Sequence, residues 1–375
     1  MGKAIVSKNC YCDRSTEAIA VSWRISLTYH RNSPPAHSSN PSSRKTTLLS
    51  NGSSRRDPPR HPVSGTIESS IMGRELKGDT MLLRSLMTTL STGISVMSVG
   101  ASAIAASPLE LDRPEDALTA FRKISCSLED GQTTYFLWQG EVYSRVPGER
   151  DRHLFDVQGM SARACVSLTS ETGSVGFRQV TREVMLYLDP ETDAVSDTWE
   201  NPWTQKINTV IPVANDPVNS TFWVETTGQR LNFQPLGNGD LLFLTFTIPL
   251  FYPNPLGNEY QAYMGGHYHA MEMFNFSANR QALLTGDAAT STVSVSWSRI
   301  SPWLPWMEMG SRPGELVFNA AGTRVDAWQN FPEPLRGQIA DRFSLYQNPP
   351  PLDDDRPNQT TWTNFRDYLE RQSQE

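Results

Sequence analysis

Residues 241–248 read Leu-Leu-Phe-Leu-Thr-Phe-Thr-Ile, a run typical of a β-strand because aromatic, aliphatic and β-branched residues dominate it. The four residues before it, Gly237-Asn-Gly-Asp240, form a strong turn signal. Other strand-like runs separated by turn signals lie on both sides, at 135–138, 141–143, 183–188, 221–224, 231–233, 268–276, 292–299 and 315–318. The local pattern is therefore mostly β.

The spacing of these runs predicts how they assemble. Turn signals follow one another at short intervals, which favours antiparallel neighbours over βαβ crossovers. So many strands in one domain must hide their edges by closing into a barrel or stacking as a sandwich. We expect a mainly β fold, a single large antiparallel barrel or strongly curled sheet with a few peripheral helices. Helices are predicted after an Asp112 N-cap, at 334–343 and at 364–371.

The N-terminal part of the chain looks like targeting sequence. Residues 81–106 have a basic start at Arg84, an apolar centre and a small-x-small end at Ala103-Ile-Ala105, as in a secretory signal peptide. Residues 1–80 are rich in Ser, Arg and Pro, which indicates a disordered or mis-annotated leader, with a basic arm or transit peptide as the alternative. We expect 107–375 to be a single β-rich domain, secreted or periplasmic after cleavage near Ala105.

Charge and cysteine content restrict the partners. Residues 107–375 carry 20 Lys and Arg against 34 Asp and Glu, a net charge of −14, whereas the whole chain carries −7. This balance excludes nucleic acid as a partner and leaves contact with a membrane only during export. Cys126 and Cys165 both lie in strand-like segments, where they could pair or remain buried thiols.

The strand around Glu272 carries the clearest candidate chemistry. On a strand, Glu272 shares a face with Tyr268 and two phenylalanines, while His267 and His269 lie on the opposite face. An inward Glu272 would have a raised pKa suited to acid or base catalysis. The alternative is a structural pair with an arginine. The two histidines could reach one metal ion only if a third ligand came from elsewhere.

Aromatic residues predict an enclosed interior. Tryptophans cluster at 199–203 and 297–306, where they either anchor the core or line a pocket with a few arginines. The predicted ligand-binding residues are Tyr187, Trp199, Asn201, Trp203, Tyr268, Trp297, Trp303 and Trp306, and the predicted catalytic residues are Glu272, Arg299 and Arg312. No nucleophile elbow, phosphate-binding loop or dinucleotide fingerprint is present, so we expect no cofactor.

One of these clusters resembles a known family. The run Trp303-Leu-Pro-Trp306-Met-Glu-Met-Gly310-Ser-Arg-Pro-Gly314 is similar to a signature of the bacterial domain-of-unknown-function family 1838. Segments within 122–140, 183–203 and 360–365 are similar too, so the resemblance spans about 114–368. It implies no reaction and no catalytic residue. Because members often carry export signals, it does imply a secreted protein.

Three functions follow from these observations. The first is an exported β-barrel-like protein that binds a small apolar or aromatic molecule. The second is a cofactor-free enzyme, an isomerase, cyclase or hydrolase of a hydrophobic metabolite, in which Glu272 is the acid or base and Arg299 or Arg312 stabilises an oxyanion. The third is an envelope protein whose Trp-rich loops contact a partner. The sequence does not decide the oligomeric state.

Overall fold

A computed structural model of the chain describes residues 107–254, 256, 266–286 and 288–374. The predicted leader (1–80) and signal peptide (81–106) lie outside the described residues. All the described residues belong to one compact unit. Among them, no helix has the length and apolar character needed to cross a membrane.

The fold is mainly β, as predicted. The strands are β1 Thr134–Arg145, β2 Arg152–Thr169, β3 Val175–Leu188, β4 Thr198–Glu200, β5 Ile207–Thr209, β6 Val213–Asn215, β7 Ser220–Trp223, β8 Gln234–Leu236, β9 Leu241–Pro253, β10 His267–Asn279, β11 Val293–Ser301 and β12 Glu315–Val325. The helices are α1 Pro114–Ser125, α2 Arg280–Leu284, α3 Leu335–Asp341 and α4 Thr361–Gln372, with short 3-10 turns between them.

Ten strands form one antiparallel sheet. Their order is β6-β3-β2-β1-β12-β11-β10-β9-β8, with β7 beside β3, and β4 and β5 form a separate hairpin. In the part of the chain that the structure describes, the pairing path does not return from β8 to β6, so the predicted barrel is not confirmed. The large antiparallel sheet is confirmed.

The strand register gives the sheet an inner face. Glu272 pairs with Arg299, Arg299 with Phe318, and Phe318 with Val142, so side chains of β10, β11, β12 and β1 point the same way. We call this side of β1–β3 and β9–β12 the inner face, and Trp138 and Tyr187 also lie on it.

Helix α1 covers one end of the inner face. The ring of Phe121 packs against Phe177 on β3, Phe222 on β7 and Phe246 on β9. A disulfide joins Cys126 at the C-cap of α1 to Cys165 on β2. The predicted strand around Cys126 is therefore wrong, because the helix extends to the residue before it.

The N-cap predicted for α1 is also wrong by one residue. Arg113, not Asp112, is the N-cap, and no side chain caps the helix there. Pro114 follows directly, and a residue before proline is driven into extended conformation, which makes Arg113 the last non-helical residue.

The other end of the inner face is covered by α4 and by the loop between β11 and β12, residues 302–314, which we call the Trp-rich loop. Trp303 and Trp306 are 0% and 1% exposed in a cluster with Tyr187, Phe155 and Phe365. Trp362 of α4 packs edge-on against Tyr268, with ring centroids 5.5 Å apart. The middle of the inner face lies between these two apolar ends.

The opposite face of β2 and β3 is buried as well. Val184, Leu186 and Leu188 pack under α3, against Leu335 and Ile339. The alternation along 183–188 predicts that these three residues form the core and that Glu183 faces solvent. Instead β3 is covered on both sides, and Glu183 is only partly exposed on the inner face.

Candidate functional site

A connected group of polar side chains, those of Tyr268, Arg299 and Glu272, lies in the middle of the inner face. Arg299 Nη1 is 3.2 Å from Glu272 Oε1, and Arg299 Nη2 donates to the hydroxyl of Tyr268 at 2.6 Å. Tyr268 is 1% exposed, whereas the side chains of Glu272 and Arg299 keep 18% and 16% of their surface accessible. A water-sized molecule can therefore reach both charged side chains.

The electrostatics of this group raise the pKa of the Glu272 carboxyl. Burial raises the pKa of Glu272, Arg299 opposes that shift only in part, and the negative charge of Glu183 adds to it. Burial alone would lower the pKa of Arg299, but Tyr268 and Glu272 together raise it above its ordinary value. Arg299 therefore stays charged, while Glu272 can exchange a proton closer to neutral pH than an exposed carboxyl.

Two further tyrosines lie next to this group of polar side chains. Tyr187 on β3 is 1% exposed, and burial raises its pKa, with Arg299 opposing the shift. Tyr252 on β9 packs against Tyr268 with ring centroids 4.9 Å apart, and burial raises its pKa also. Both phenols are therefore neutral hydrogen-bonding groups at physiological pH.

Five buried hydrogen-bond donors on the inner face have no acceptor among the described residues. They are the indole Nε1 atoms of Trp138 and Trp297, the hydroxyl of Tyr187 and the Nε atoms of Arg299 and Arg324. The indole Nε1 of Trp306, which packs on Tyr187, is a sixth such donor. Buried donors in native proteins are nearly always hydrogen-bonded, because an unpaired one costs about 1–3 kcal/mol. A group of this size on one face requires an explanation.

Aromatic rings form the walls around these donors. Trp297 lies between Phe274 and Phe318, at centroid distances of 6.5 and 5.7 Å. The indole of Trp138 lies directly over Gly159 of β2, where a Cβ atom would come within 2.2 Å of the indole ring. Glycine at 159 is thus required for the indole to lie flat against the sheet.

The structure places the other predicted ligand residues in the apolar end of the inner face, in the cluster that also contains Tyr187. Trp199 and Trp203 lie on the β4–β5 hairpin, with ring centroids 6.4 Å apart. Asn201 is fully buried, donates to the carbonyl of Met307 and accepts from the backbone of Trp203 and Thr204. These residues connect the hairpin to the Trp-rich loop.

Trp303, Trp306 and Arg312 also belong to that end. The indole of Trp303 donates to the backbone carbonyl of Arg312 at 3.0 Å, and Trp306 packs on Tyr187 at 5.5 Å. The guanidinium of Arg312 lies 4.0 Å from Glu149 on the surface. Because both indoles are buried, this loop does not present them to an external partner.

His267 and His269 lie on the face of β10 opposite Glu272, as the strand pattern predicts. Both are exposed, and the ring of His267 stacks on Phe251 at 5.1 Å. The described residues contain no group of three or more His, Cys, Asp or Glu residues that could hold a metal ion. The third ligand that a metal site would need is not supplied within that part of the chain.

Sequence reasoning missed several inner-face residues. Arg163 and Ser161 on β2, Tyr252 on β9 and Trp138 on β1 were not among the predicted site residues. The sequence does contain one indication of the direction of Arg163. Ser161, Arg163 and Cys165 are spaced two residues apart on β2 and therefore share a face, so a Cys165 that points inward to a disulfide places Arg163 on the inner face as well.

Two grooves of about 670 and 630 Å³ open elsewhere on the surface. The first lies beside α2 and the second between α4 and the β5–β6 segment, where Arg342 and Asp367 line it. No buried unpartnered polar atom among the described residues lines either groove. The inner face is therefore the stronger candidate for a built site.

Comparison with known proteins identifies the family of the chain. No curated protein matches the chain. The family model described as "Protein of unknown function (DUF1838)" matches residues 131–369, a range that includes all the inner-face residues named above. Because this match spans more than half of the sequence, the chain belongs to the DUF1838 family of proteins of unknown function.

Proposed function

We propose that this protein binds a small molecule with an apolar or aromatic body and oxygen acceptor groups on the inner face of its sheet. Four of the buried donors without acceptors carry this proposal, those of Trp138, Trp297, Tyr187 and Arg299. A ligand that supplies acceptor oxygens would account for all four at once, and the surrounding indole and phenyl rings would contact its apolar body. Bound water is the competing explanation, and it predicts no preference for an apolar body.

The inner face would enclose this ligand if the sheet curls around it, and we include that curl in the proposal. Phe121 supports it, since its ring contacts both Phe177 on β3 and Phe246 on β9, strands near opposite ends of the pairing path. The influence of Glu183 on the pKa of Glu272 also supports it, because these residues lie on β3 and β10. With α1 and α4 at its ends, such a sheet would form a barrel-like pocket.

We also propose that the protein is exported and works outside the cytoplasm. The disulfide between Cys126 and Cys165 supports this, because disulfides persist mainly in oxidising compartments. The signal-like sequence at 81–106 points the same way.

Native mass spectrometry tests the binding proposal. The full chain would be expressed in a host that exports it, purified without detergent, and measured before and after denaturing extraction. We expect a co-purified small molecule that is released on unfolding. Protein at its bare mass, together with no saturable quenching of tryptophan fluorescence by 2-naphthol or 2-naphthoate, would contradict the proposal.

A pair of tryptophan variants makes this experiment specific to the inner face. Trp297→Phe removes an indole N–H that has no acceptor, whereas Trp203→Phe removes one that donates to Glu149 at 2.9 Å. Only Trp297→Phe should reduce the amount of retained ligand. Equal losses in both variants would place the ligand elsewhere.

A second candidate function is a cofactor-free enzyme that uses Glu272 as acid or base. The raised pKa of Glu272 beside a charged Arg299 favours it, because this pair could transfer a proton and stabilise an oxyanion. Glu272→Gln keeps the shape and the hydrogen bonding of the side chain. If the protein is an enzyme, this variant should retain the co-purified molecule but no longer convert it. Conversion at the wild-type rate would exclude this role.

A further inference from the structure

Arg163 is a partly buried arginine whose hydrogen-bonding capacity is mostly unused. It lies on the inner face of β2, between Thr134 and Thr181 of the neighbouring strands. Its Nε donates to Ser161 Oγ at 2.8 Å, and its guanidinium lies 4.4 Å from the centre of the Phe136 ring. Within the described part of the chain, its two terminal nitrogens donate to no acceptor.

No carboxylate neutralises this guanidinium. Among the described residues, none lies within 4 Å of it, and Glu183 acts only from a greater distance. Burial lowers the pKa of Arg163 to about 10, and the attraction of Glu183 offsets this only in part. An arginine in such surroundings is normally paired with an anion.

A second arginine adds to the positive charge, but both of its terminal nitrogens have acceptors and only its Nε has none among the described residues. Arg324 lies on β12 and pairs with Phe136 of β1. Its guanidinium carbon is 5.4 Å from the centre of the Phe136 ring. Its terminal nitrogens donate to four backbone carbonyls, those of Lys123, Ile124, Cys126 and Ser291. It therefore holds the end of α1, whereas the terminal donors of Arg163 remain available.

We propose that the ligand carries a carboxylate that Arg163 binds through its two terminal nitrogens. This inference rests on the function proposed above and names the chemical class of the ligand. A planar guanidinium matches the two oxygens of a carboxylate, and the low polarity around Phe136 strengthens such a pair.

The positions along β2 indicate where the rest of the ligand lies. Gly159, which underlies the Trp138 indole, is four residues from Arg163, or about 13 Å along the strand. Val157, two residues further, pairs with Tyr187. A carboxylate at Arg163 would thus direct the apolar body over Trp138 towards the Tyr187 hydroxyl.

Matched pairs of probes test the carboxylate. The full exported chain would be titrated with benzoate, 2-naphthoate and decanoate, and with the neutral primary amide of each, by tryptophan fluorescence and calorimetry. We expect at least one carboxylate to bind tenfold or more tightly than its amide. Arg163→Met should remove that preference by weakening carboxylate binding at least tenfold while leaving amide binding unchanged, and Arg163→Lys should restore part of it.

A control arginine separates a ligand site from a structural one. Arg182 is 8% exposed and pairs with Asp216 at 2.8 Å, so Arg182→Met should lower the melting temperature without changing the carboxylate preference. Arg163→Met should melt at or above the wild-type temperature in the absence of ligand, because it removes a charge that has no partner. A decrease equal to that of Arg182→Met would overturn the proposal.

The remaining outcomes are distinct. If the wild type binds acid and amide equally, the proposal that the ligand carries a carboxylate is wrong, whereas the proposal of a small-molecule site is unaffected. If sulfate or acetate binds as tightly as 2-naphthoate, the site binds a small anion and the proposal of an organic acid is wrong. No binding of any probe would contradict the proposed function itself, and the carboxylate with it.

Discussion

Replacing Tyr187 by phenylalanine should stabilise the ligand-free protein, although the residue lies in the core. Its hydroxyl is buried without a partner among the described residues, and the side chain is 1% exposed. The ring contacts with Phe155 and Trp306, at 5.4 and 5.5 Å, would be unchanged. Removal of an unpaired buried hydroxyl should therefore raise the free energy of unfolding.

The size of the effect follows from the cost of an unsatisfied polar group. That cost is about 1–3 kcal/mol, so Tyr187→Phe should gain a comparable amount. In a domain of this size, the gain corresponds to a rise in melting temperature of roughly 2–10 °C. Urea denaturation followed by circular dichroism would measure the free energy, and a thermal scan would measure the temperature.

Tyr346 provides the matched control. It is also buried, at 9% exposure, but its hydroxyl donates to the carbonyl of Ala214 at 2.7 Å. Tyr346→Phe should lose about 0.5–1.5 kcal/mol, the ordinary worth of a hydrogen bond. If Tyr187→Phe lost as much as the control, the Tyr187 hydroxyl would have a permanent partner such as a buried water, and the group of free donors would be refuted.

The remaining predictions concern the disulfide, the carboxyl and the glycine under the indole. Replacing Cys126 and Cys165 together by Ala should cost about 4 kcal/mol in urea denaturation, because the disulfide closes a loop across 39 positions; no loss would mean unpaired thiols. Glu272→Gln should gain stability relative to the wild type as pH rises from 4.5, because a carboxyl with a raised pKa loses its protonated, favourable form on that side; a pH-independent difference would show an ordinary pKa. Gly159→Ala should displace the Trp138 indole, costing about 1–3 kcal/mol and shifting the fluorescence spectrum, and an unchanged spectrum would contradict the contact.

The face of the sheet to which a side chain belongs could be predicted from the sequence where one side of a strand is polar. Along β10, His267 and His269 alternate with apolar residues and with Glu272, so the sequence alone placed the carboxyl on the opposite face from the histidines. The register confirms this arrangement, and it adds Arg299 as the direct neighbour of Glu272. The partner could not be chosen from sequence, because pairing of β10 with β11 is a long-range property.

Arg163 was missed for a physical reason. Both faces of β2 are covered, so its central residues are almost all buried and the alternation that reveals an inward side chain is lost. Trp199, Asn201 and Trp203 alternate in the sequence as they would on one face of a strand, but this interpretation fails for another reason. Asn201 accepts two backbone hydrogen bonds from the residues after it and turns the chain there, which no strand pattern indicates.

The two ends of the inner face differ in the way they are fastened. At one end, the Cys126–Cys165 bond ties α1 covalently to the sheet. At the other end, α4 is held by noncovalent contacts such as Trp362 on Tyr268 and the hydrogen bond from Asn364 to Asn215. Separation of α4 from the sheet breaks no covalent bond and uncovers Tyr268. If the proposed ligand lies on the inner face, α4 is the cover that can separate without breaking a covalent bond, and its packing would then set the dissociation rate of the ligand.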